Sequence, residues 1–416
     1  KIKCVKDSRM LLFDNKKQKF LNVLKLTGSP FRKFVSTGEI NEELGVVQSR
    51  QNILQSIIDK IENNESFILP IIGNVGSGKT HLYWALRHIL HHYNVVYISL
   101  DIIYNKLYYH TYSKFIKEYD KVILRSITKQ LCDEWGASER KYGFFQIADI
   151  EKIRNNGFDF YYSEFEDKDA LRDVINAITT HQLDPYQKIE AERWIMGEIL
   201  KKKELSSLNL KYDVRKKNNS FIMLKFLIEN SEKQSILFID DFKKNIRSME
   251  PVKEDPEMEE EVFDRSWLYG TKKLVDDRST DRILNKILKF LNIKGLRIII
   301  TLNSKEFFQE IRRKIADRNK DLLGLLEEPV VLADFKESDI FEFFKQNIDI
   351  FFAKIKYIDY FNDFSDSFFP LNENILKNVV KKTKGNPREI IKELIKIFNE
   401  IISSSEKLED IAYKYQ

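Results

Sequence analysis

A glycine-rich segment that ends in a lysine and a threonine has the residue types that phosphate chemistry needs. It consists of Gly73, Asn74, Val75, Gly76, Ser77, Gly78, Lys79 and Thr80. The segment matches G-x-x-x-x-G-K-[ST], in which backbone N–H groups surround phosphates, the lysine reaches the β- and γ-phosphates and the hydroxyl binds Mg²⁺. It therefore predicts binding of ATP with Mg²⁺, with the adjacent His81 as a further contact. The competing interpretation is a glycine-rich turn that carries a lysine by chance.

Two adjacent carboxylates, Asp240 and Asp241, end the apolar run Ile236–Ile239. An acidic residue at the end of a strand is what a phosphate-binding loop enzyme uses to hold its metal and to orient water. Asp240 is predicted to hold Mg²⁺, and Asp241 is predicted to polarise the attacking water. The alternative is that such a pair only caps a turn or a helix.

These residues need strands and helices to position them. Short apolar runs without alternation predict buried parallel strands. They are Phe67–Ile72, Val95–Leu100, Ile236–Ile239, Arg297–Thr301 and Pro329–Leu332. Helical periodicity between the runs predicts an α/β fold with a parallel five-stranded sheet and helices on both faces.

The order of these patterns predicts four segments. Residues 1–101 hold an N-terminal segment and the first part of the core, 102–230 a mostly helical insertion, 231–334 the second part of the core, and 335–416 a helical lid. Gln187–Lys203 is the best amphipathic stretch of the insertion. The acidic run Met249–Asp264 is predicted to form a surface loop. Within the lid, helices are predicted over Asp339–Asn347, Asn372–Lys382 and Pro387–Ile402.

Two later motifs carry a resemblance. Thr301-Leu-Asn303 ends the fourth apolar run, and Gly385-Asn-Pro-Arg388 opens a predicted helix. Together with the glycine-rich loop, they resemble the AAA+ ATPases, most closely the clade of replication initiators and related signalling ATPases. The resemblance implies that Asn303 is sensor 1 and that Arg388 is sensor 2, which contacts the nucleotide. Taken singly, each motif could be a strand-ending turn or a helix begun by proline.

The same resemblance assigns roles to other segments. It implies that one of Arg312, Arg313 and Arg318 is an arginine finger, although a solvated basic helix face is the alternative for each. Leu44–Leu54, which includes Arg50, resembles the adenine-contacting segment of the family. In that family many members have Glu where this chain has Asp241, so hydrolysis is expected to be slow.

A separate resemblance lies in the insertion. Glu192-Arg-Trp194-Ile-Met-Gly197-Glu198 is similar to a segment of the ATP-binding proteins of bacteriophage-exclusion (BREX) systems. This resemblance implies a role in defence against foreign DNA. The alternative is that Trp194 and its neighbours are ordinary helix core.

Composition limits the possible partners. The chain has 69 basic and 64 acidic residues, and a net charge of +5 does not by itself indicate a nucleic-acid partner. Cys4 and Cys132 are too few for a disulfide framework, which favours a cytoplasmic protein. Apolar runs are too short to cross a membrane. Local basic clusters are candidate phosphate contacts. They are Lys201–Lys203, Arg215–Lys217 and Lys381–Lys384.

The leading hypothesis is an AAA+ ATPase that uses ATP and Mg²⁺ to remodel a nucleic-acid-associated complex. Its expected partners are DNA and either further copies of the chain or a partner ATPase, with no membrane. The alternatives are a loader of the replication-initiator type and a signalling or scaffold ATPase that binds protein partners only.

Overall fold

The computed structural model describes residues 18–31, 47–100, 106–119, 121–137, 149–242, 273–356, 368–404 and 407–415. The fold is α/β with a five-stranded parallel sheet in the order β2-β3-β4-β1-β5. The strands are β1 (Ile68–Gly73), β2 (Asn94–Ser99), β3 (Ser235–Asp240), β4 (Leu296–Leu302) and β5 (Val330–Leu332). The predicted strands are therefore confirmed, each within about two residues of its expected ends.

The sheet is parallel because its strands are apolar on both faces. Every residue of β1, β3 and β4 is buried, as expected for strands covered by helices on two sides. The pairing of β2 with β3 places Ser99 opposite Asp240. The pairing of β3 with β4 places Ile239 opposite Ile300. This register brings the carboxyl ends of β2, β3 and β4 to one edge of the sheet.

The chain divides into two compact units, and the division passes through β1. One unit comprises Lys1–Lys60, Ile72–Ile89 and Val330–Gln416, and the other comprises Ile61–Ile71 and Leu90–Pro329. The first is called the loop unit below, because it contains the glycine-rich loop, and the second is called the sheet unit. The four segments expected from the sequence stay a prediction.

The sheet unit is rich in helices, as predicted for residues 102–230. Before β3 it contains α3 (Leu107–Glu118), α4 (Lys121–Glu134), α5 (Ile150–Tyr161), α6 (Lys168–Leu183), α7 (Lys188–Ile195), α8 (Lys202–Ser207) and α9 (Lys217–Glu229). After β3 it contains α10 (Lys273–Lys289), α11 (Lys305–Arg318) and two short 3₁₀ helices, Phe290–Asn292 and Lys320–Leu325. Side chains of α10 are described from Asp281 onward.

The amphipathic stretch Gln187–Lys203 is not one helix. It breaks after Ile195, where Gly197 has a φ of 81°, and the chain becomes helical again only at Lys202. A left-handed glycine is the usual end of a helix, and it overrides the periodicity that continues beyond it. Trp194 is fully buried, and its indole N–H donates to the carbonyl of Tyr212, so this residue belongs to the core of the sheet unit.

The loop unit is also mainly helical. It contains most of α1 (Gln48–Asn63) and all of α2 (Lys79–Ile89), α12 (Glu337–Lys354), α13 (Glu373–Thr383), α14 (Pro387–Ser403) and α15 (Leu408–Lys414). The predicted helices of residues 335–416 are confirmed. Their apolar faces pack into one core, in which Phe344, Leu376 and Phe398 are fully buried. Asn372 and Asn386 cap α13 and α14, as expected for asparagine before a helix.

Two expectations concern segments beyond these elements. The acidic run Met249–Asp264 lies outside the described residues. Among the helices that are described, none is both long and apolar enough to cross a membrane.

Candidate nucleotide-binding site

The glycine-rich loop lies between the end of β1 and the start of α2. Gly76 and Gly78 have φ values of 86° and 99°, which side chains other than glycine adopt only with strain. At Gly73 a Cβ atom would stand 2.4 Å from the Ser77 hydroxyl oxygen. These glycines let the backbone turn tightly from strand to helix, so that amide N–H groups can approach a bound anion closely.

Lys79 begins α2, and its ammonium group folds back over the loop. Its Nζ atom donates to the carbonyl oxygens of Gly73, at 2.7 Å, and of Asn74, at 3.0 Å. The buried Ser77 hydroxyl has no hydrogen-bond partner among the described residues. Thr80 is half-buried in the first turn of α2. A cation, a spare hydroxyl and the positive end of a helix thus meet at one loop, a combination that fits phosphate groups.

His81 follows in the same turn of the helix. Burial lowers its pKa to about 4, and the nearby Arg50 guanidinium acts in the same direction. The imidazole is therefore neutral at pH 7 and adds no charge to the loop. Lys79 carries the positive charge of this turn.

The Gly385–Arg388 segment packs against the glycine-rich loop within the loop unit. The Asn386 side chain donates to the carbonyl of Val75 at 2.9 Å, and the Arg388 N–H donates to the carbonyl of Gly76 at 3.2 Å. The side-chain oxygen Oδ1 of Asn386 also accepts from the N–H groups of Arg388 and Glu389, which caps α14. One side chain therefore caps the helix and joins it to the loop.

The glycine-rich loop and the Gly385–Arg388 segment can approach each other closely because each has a glycine near the contact. A Cβ atom on Gly76 would stand 2.6 Å from Asn386 Oδ1 and 2.8 Å from Arg388 Cβ. Gly385 has a φ of 74°, and its carbonyl accepts from the Phe335 N–H at 2.7 Å. The Arg388 side chain is exposed and makes no ion pair with any described residue. The sequence singled out Arg388, but its backbone is the part that contacts the loop.

Arg50 is a second connection that the sequence did not reveal. Its guanidinium donates to the carbonyls of Ser77, at 3.3 Å, and Ala333, and it lies 5.4 Å from the centre of the Phe335 ring. Burial lowers its pKa, while the charges of Asp339 and Asp334 oppose that shift. Arg50 thus holds the loop to the chain that follows β5. The segment was predicted to contact adenine, and that role stays a prediction.

The acidic pair lies in the sheet unit, at the end of β3. Asp240 is buried, and its carboxylate accepts hydrogen bonds from the Tyr97 hydroxyl at 3.0 Å, from the Thr301 hydroxyl and from the Asp241 N–H at 2.9 Å. The Asp241 carboxylate accepts from the Ser99 hydroxyl at 2.7 Å. Asp241 has a φ of 62°, a left-handed conformation that aspartate and asparagine tolerate better than most residues. Both carboxylates are thus held in fixed orientations.

The predicted neighbour Asn303 is an exposed residue just after β4. The residue of β4 that contacts Asp240 is Thr301, two positions earlier. Tyr97 and Ser99, the other partners of the acidic pair, were not predicted. The sequence did contain a signal for them: Ser99 is the last residue of β2, and Tyr97 lies two residues before it. Side chains two residues apart on a strand point to the same face of the sheet.

The three candidate finger arginines lie on α11. Arg312 is 3.4 Å from Glu328, and Arg318 is 3.8 Å from Asp281. Arg313 is exposed and forms no ion pair with any residue that the structure describes. Of these three arginines, only Arg313 is without an acidic partner among the described residues. Its role as a finger stays a prediction.

Among the described residues, no cluster of three or more His, Cys, Asp and Glu side chains could hold a metal ion. Mg²⁺ is usually bound by one or two carboxylates together with water and substrate phosphates. A single oriented carboxylate such as Asp240 fits Mg²⁺ that arrives with a nucleotide.

Comparisons with known proteins do not extend this picture. No protein-family model matches the chain, and a search of curated proteins found no match. The functional assignment therefore rests on the residues and geometry described above.

Proposed function

We propose that this chain is a P-loop ATPase of the AAA+ type, which binds ATP with Mg²⁺ and hydrolyses it. The observation that carries the proposal is the conformation of residues 73–80: two left-handed glycines between a buried strand and a helix that begins with Lys79. This is the setting in which the sequence pattern binds phosphate. The direct test is equilibrium binding of a fluorescent ATP analogue with and without Mg²⁺, followed by measurement of phosphate release.

In this proposal, different groups bind the phosphates and the metal ion. Within the loop unit, the backbone N–H groups and Lys79 hold the β- and γ-phosphates, and the Thr80 hydroxyl holds Mg²⁺. The role of Asp240 as a ligand of Mg²⁺ through water stays the prediction made from the sequence. Mg²⁺ neutralises charge that develops on the phosphates during transfer. Three hydrogen bonds, from Tyr97, Thr301 and the Asp241 N–H, fix the orientation of the Asp240 carboxylate.

Asp241 is proposed to act in hydrolysis rather than in binding. Its carboxylate is held by Ser99, so it is fixed at one position from which it can orient a water molecule. Asp241→Asn keeps the size, the left-handed conformation and an oxygen that can accept from Ser99, but it removes the charge. We expect ATP affinity to stay within about twofold and turnover to fall by about 10²-fold or more, the range for losing a general base.

The measurement is single-turnover phosphate release at saturating ATP. Ser99→Ala is the matched control for position, because it removes the hydroxyl that holds Asp241 and leaves the charge. We expect a smaller loss of turnover for Ser99→Ala. Unchanged turnover in Asp241→Asn would remove this residue from the mechanism.

Arg388 is proposed to report which nucleotide is bound. Its N–H is fixed to the loop at Gly76, which places the start of its exposed side chain beside the phosphate-binding residues. A guanidinium there can form a charge-assisted bond with a γ-phosphate that ADP lacks. Arg388→Ala should therefore reduce the preference for ATP over ADP by about 10-fold or more, because a hydrogen bond between charged groups contributes about 1.5 to 3 kcal/mol and about 1.4 kcal/mol corresponds to tenfold.

The measurement is a pair of dissociation constants, for ATP and for ADP, in each variant. Lys392→Ala is a suitable control, because Lys392 is exposed one turn further along α14 and pairs with Glu389. An ATP preference in Arg388→Ala equal to that of the parent chain would contradict the role.

The action that hydrolysis drives is proposed to be remodelling of a nucleic-acid-associated complex, in an assembly with copies of this chain or with a partner ATPase. The exposed Arg313 supports the assembly, because it is available to a neighbouring molecule. A scaffold ATPase that binds only protein partners is the alternative. Binding of nucleic acid by the purified chain distinguishes the two.

A further inference from the structure

Three consecutive carbonyl groups of the glycine-rich loop accept hydrogen bonds from groups outside the loop. They are the carbonyls of Val75, Gly76 and Ser77. Their donors are, in the same order, the Asn386 side chain at 2.9 Å, the Arg388 N–H at 3.2 Å and the Arg50 guanidinium at 3.3 Å. All of these residues belong to the loop unit. One side of the loop backbone is therefore bonded to the rest of that unit.

These bonds also determine where the N–H groups of the loop point. A peptide unit is planar and trans, so its C=O and N–H groups point in opposite directions. The bonded carbonyls therefore turn the following N–H groups, those of Gly76, Ser77 and Gly78, to the other side of the backbone. The Ser77 N–H donates to the Asn74 carbonyl at 3.1 Å. The N–H groups of Gly76 and Gly78 have no acceptor among the described residues, so they can donate to an anion.

The peptide unit between Ser77 and Gly78 has the least support from its own residues. Gly78 has a φ of 99°, and nothing lies within 4 Å of the position of a Cβ atom there. Because glycine adopts many backbone conformations, Gly78 itself does not prevent this peptide unit from turning over. A turned unit would present the carbonyl oxygen of Ser77, with its partial negative charge, to the phosphates. Among the described residues, Arg50 is the donor to that carbonyl.

Arg50 can hold the carbonyl because the position of its own side chain is fixed. It is the third residue of α1, and its guanidinium also donates to the carbonyl of Ala333 and lies 5.4 Å from the centre of the Phe335 ring. The carboxylates of Asp334 and Asp339 interact with its charge. These carboxylates offset the positive charge, so the guanidinium acts on the loop mainly through its hydrogen bond.

We propose that Arg50 is a positioning residue of the nucleotide site, which turns the Gly78 N–H toward the phosphates by holding the Ser77 carbonyl. This role deepens the proposed function and rests on it, because it concerns the phosphates that ATP, ADP and inorganic triphosphate share. It differs from the role that the sequence resemblance implies for this segment, a contact with adenine. A ligand without adenine distinguishes the two roles.

The test is calorimetric titration of the full chain with inorganic triphosphate, ATP and ADP, each with Mg²⁺. Arg50→Met removes the donors and keeps an unbranched side chain that can pack against the Phe335 ring. All three affinities should fall by a similar factor of about 10, the effect of losing one hydrogen bond to a charged group. A loss for ATP and ADP without a loss for triphosphate would overturn the proposal and assign Arg50 to adenine.

The matched control for charge is Arg87→Met. Arg87 is an exposed residue in the last turn of α2, about two turns from the loop, and its loss changes the net charge of the loop unit equally. We expect this variant to keep the parent affinity for triphosphate. The ratio of affinities between the parent and Arg50→Met should persist from about 0.05 M to about 0.5 M salt, because only attraction at a distance is screened. A ratio that falls to one at high salt would contradict the proposal.

A second control separates positioning from stability. Glu342 accepts the N–H of Gln48, the first residue of α1, with both carboxylate oxygens, so Glu342→Ala loosens the helix that carries Arg50 without removing a bond to the loop. We expect this variant to unfold at a lower urea concentration and to keep the parent affinity for triphosphate. If it weakened triphosphate binding as much as Arg50→Met, a general loosening of α1 would explain the loss and the proposal would fail.

The Gly78 N–H itself gives a direct measurement. In a chain labelled with ¹⁵N-glycine, its nuclear magnetic resonance signal is one of 14 and is identified by its absence in Gly78→Ala. Saturating triphosphate should shift this signal in the parent chain and shift it less in Arg50→Met. Equal shifts would mean that the N–H is oriented without Arg50, which contradicts only this inference. A parent chain that binds neither triphosphate nor ATP contradicts the proposed function and, with it, the role of Arg50.

Discussion

Lys79→Ala should lower the affinity for ATP by about 100-fold or more. The ammonium group is the cation carried by the loop itself, and its present partners are the carbonyls of Gly73 and Asn74, which a phosphate oxygen can replace. Hydrogen bonds between charged groups contribute about 1.5 to 3 kcal/mol each, and about 3 kcal/mol corresponds to about two decades of affinity. The neutral His81 beside it cannot substitute for the lost charge.

The measurement is titration of each variant with a fluorescent ATP analogue in the presence of Mg²⁺. Lys129→Ala is the control, since Lys129 is an exposed residue of α4 in the sheet unit and its loss changes the net charge equally. Circular dichroism should show the same helix content in both variants, because alanine is a good helix former at both positions. If Lys79→Ala bound ATP almost as well as the control, residues 73–80 would not be the nucleotide site.

Gly76→Ala should destabilise the loop unit more than any other single alanine substitution in the glycine-rich loop. A left-handed alanine costs about 1 to 2 kcal/mol, and overpacking adds about 1 to 3 kcal/mol. Overpacking is expected because the new Cβ atom would stand 2.6 Å from Asn386 Oδ1 and 2.8 Å from Arg388 Cβ. The free energy of unfolding should therefore fall by about 2 to 5 kcal/mol.

Two other glycines separate these contributions. Gly78 has a φ of 99° but nothing within 4 Å of its missing Cβ, so Gly78→Ala should show the conformational cost alone. Gly324 has open space as well and no positive φ, so Gly324→Ala should be nearly neutral. Denaturant unfolding followed by helix signal gives all three values. Equal losses for Gly76→Ala and Gly78→Ala would mean that the Gly385–Arg388 segment does not press on the loop.

A double variant tests the contact from the other side. Asn386→Ala removes the nearer obstacle, and it also removes the cap of α14 and the hydrogen bond to Val75. In the Gly76→Ala background, Asn386→Ala should lower the free energy of unfolding by less than it does alone, because it also relieves the overlap between the Cβ atom added at position 76 and the Asn386 side chain. Strictly additive losses would argue against direct contact, since only residues that touch are expected to couple strongly.

Much of the architecture follows from local patterns. The apolar runs of β1, β3 and β4 became fully buried parallel strands, because these strands are covered on both faces. The run of β5 became a strand at the edge of the sheet, where Val331 is 42% exposed, so the prediction of burial was wrong there. Pro387 marked the start of α14 correctly, since a proline at the first helical position acts through its own fixed φ. The amphipathic periodicity over Gln187–Lys203 did not give one continuous helix, because Gly197 has a positive φ and ends the helix there.

The sequence alone identifies the candidate residues for binding phosphate and metal. The glycines, the lysine and the strand-ending carboxylates form contiguous motifs whose chemistry depends on neighbours in the chain. The side chains that hold these residues in place are seen only in the tertiary structure. Thr301, Tyr97 and Ser99 bond to the acidic pair, and Arg50 and Asn386 bond to the loop. These partners come from distant parts of the chain, and because their proximity arises only when strands pair and helices pack, no local pattern could reveal it.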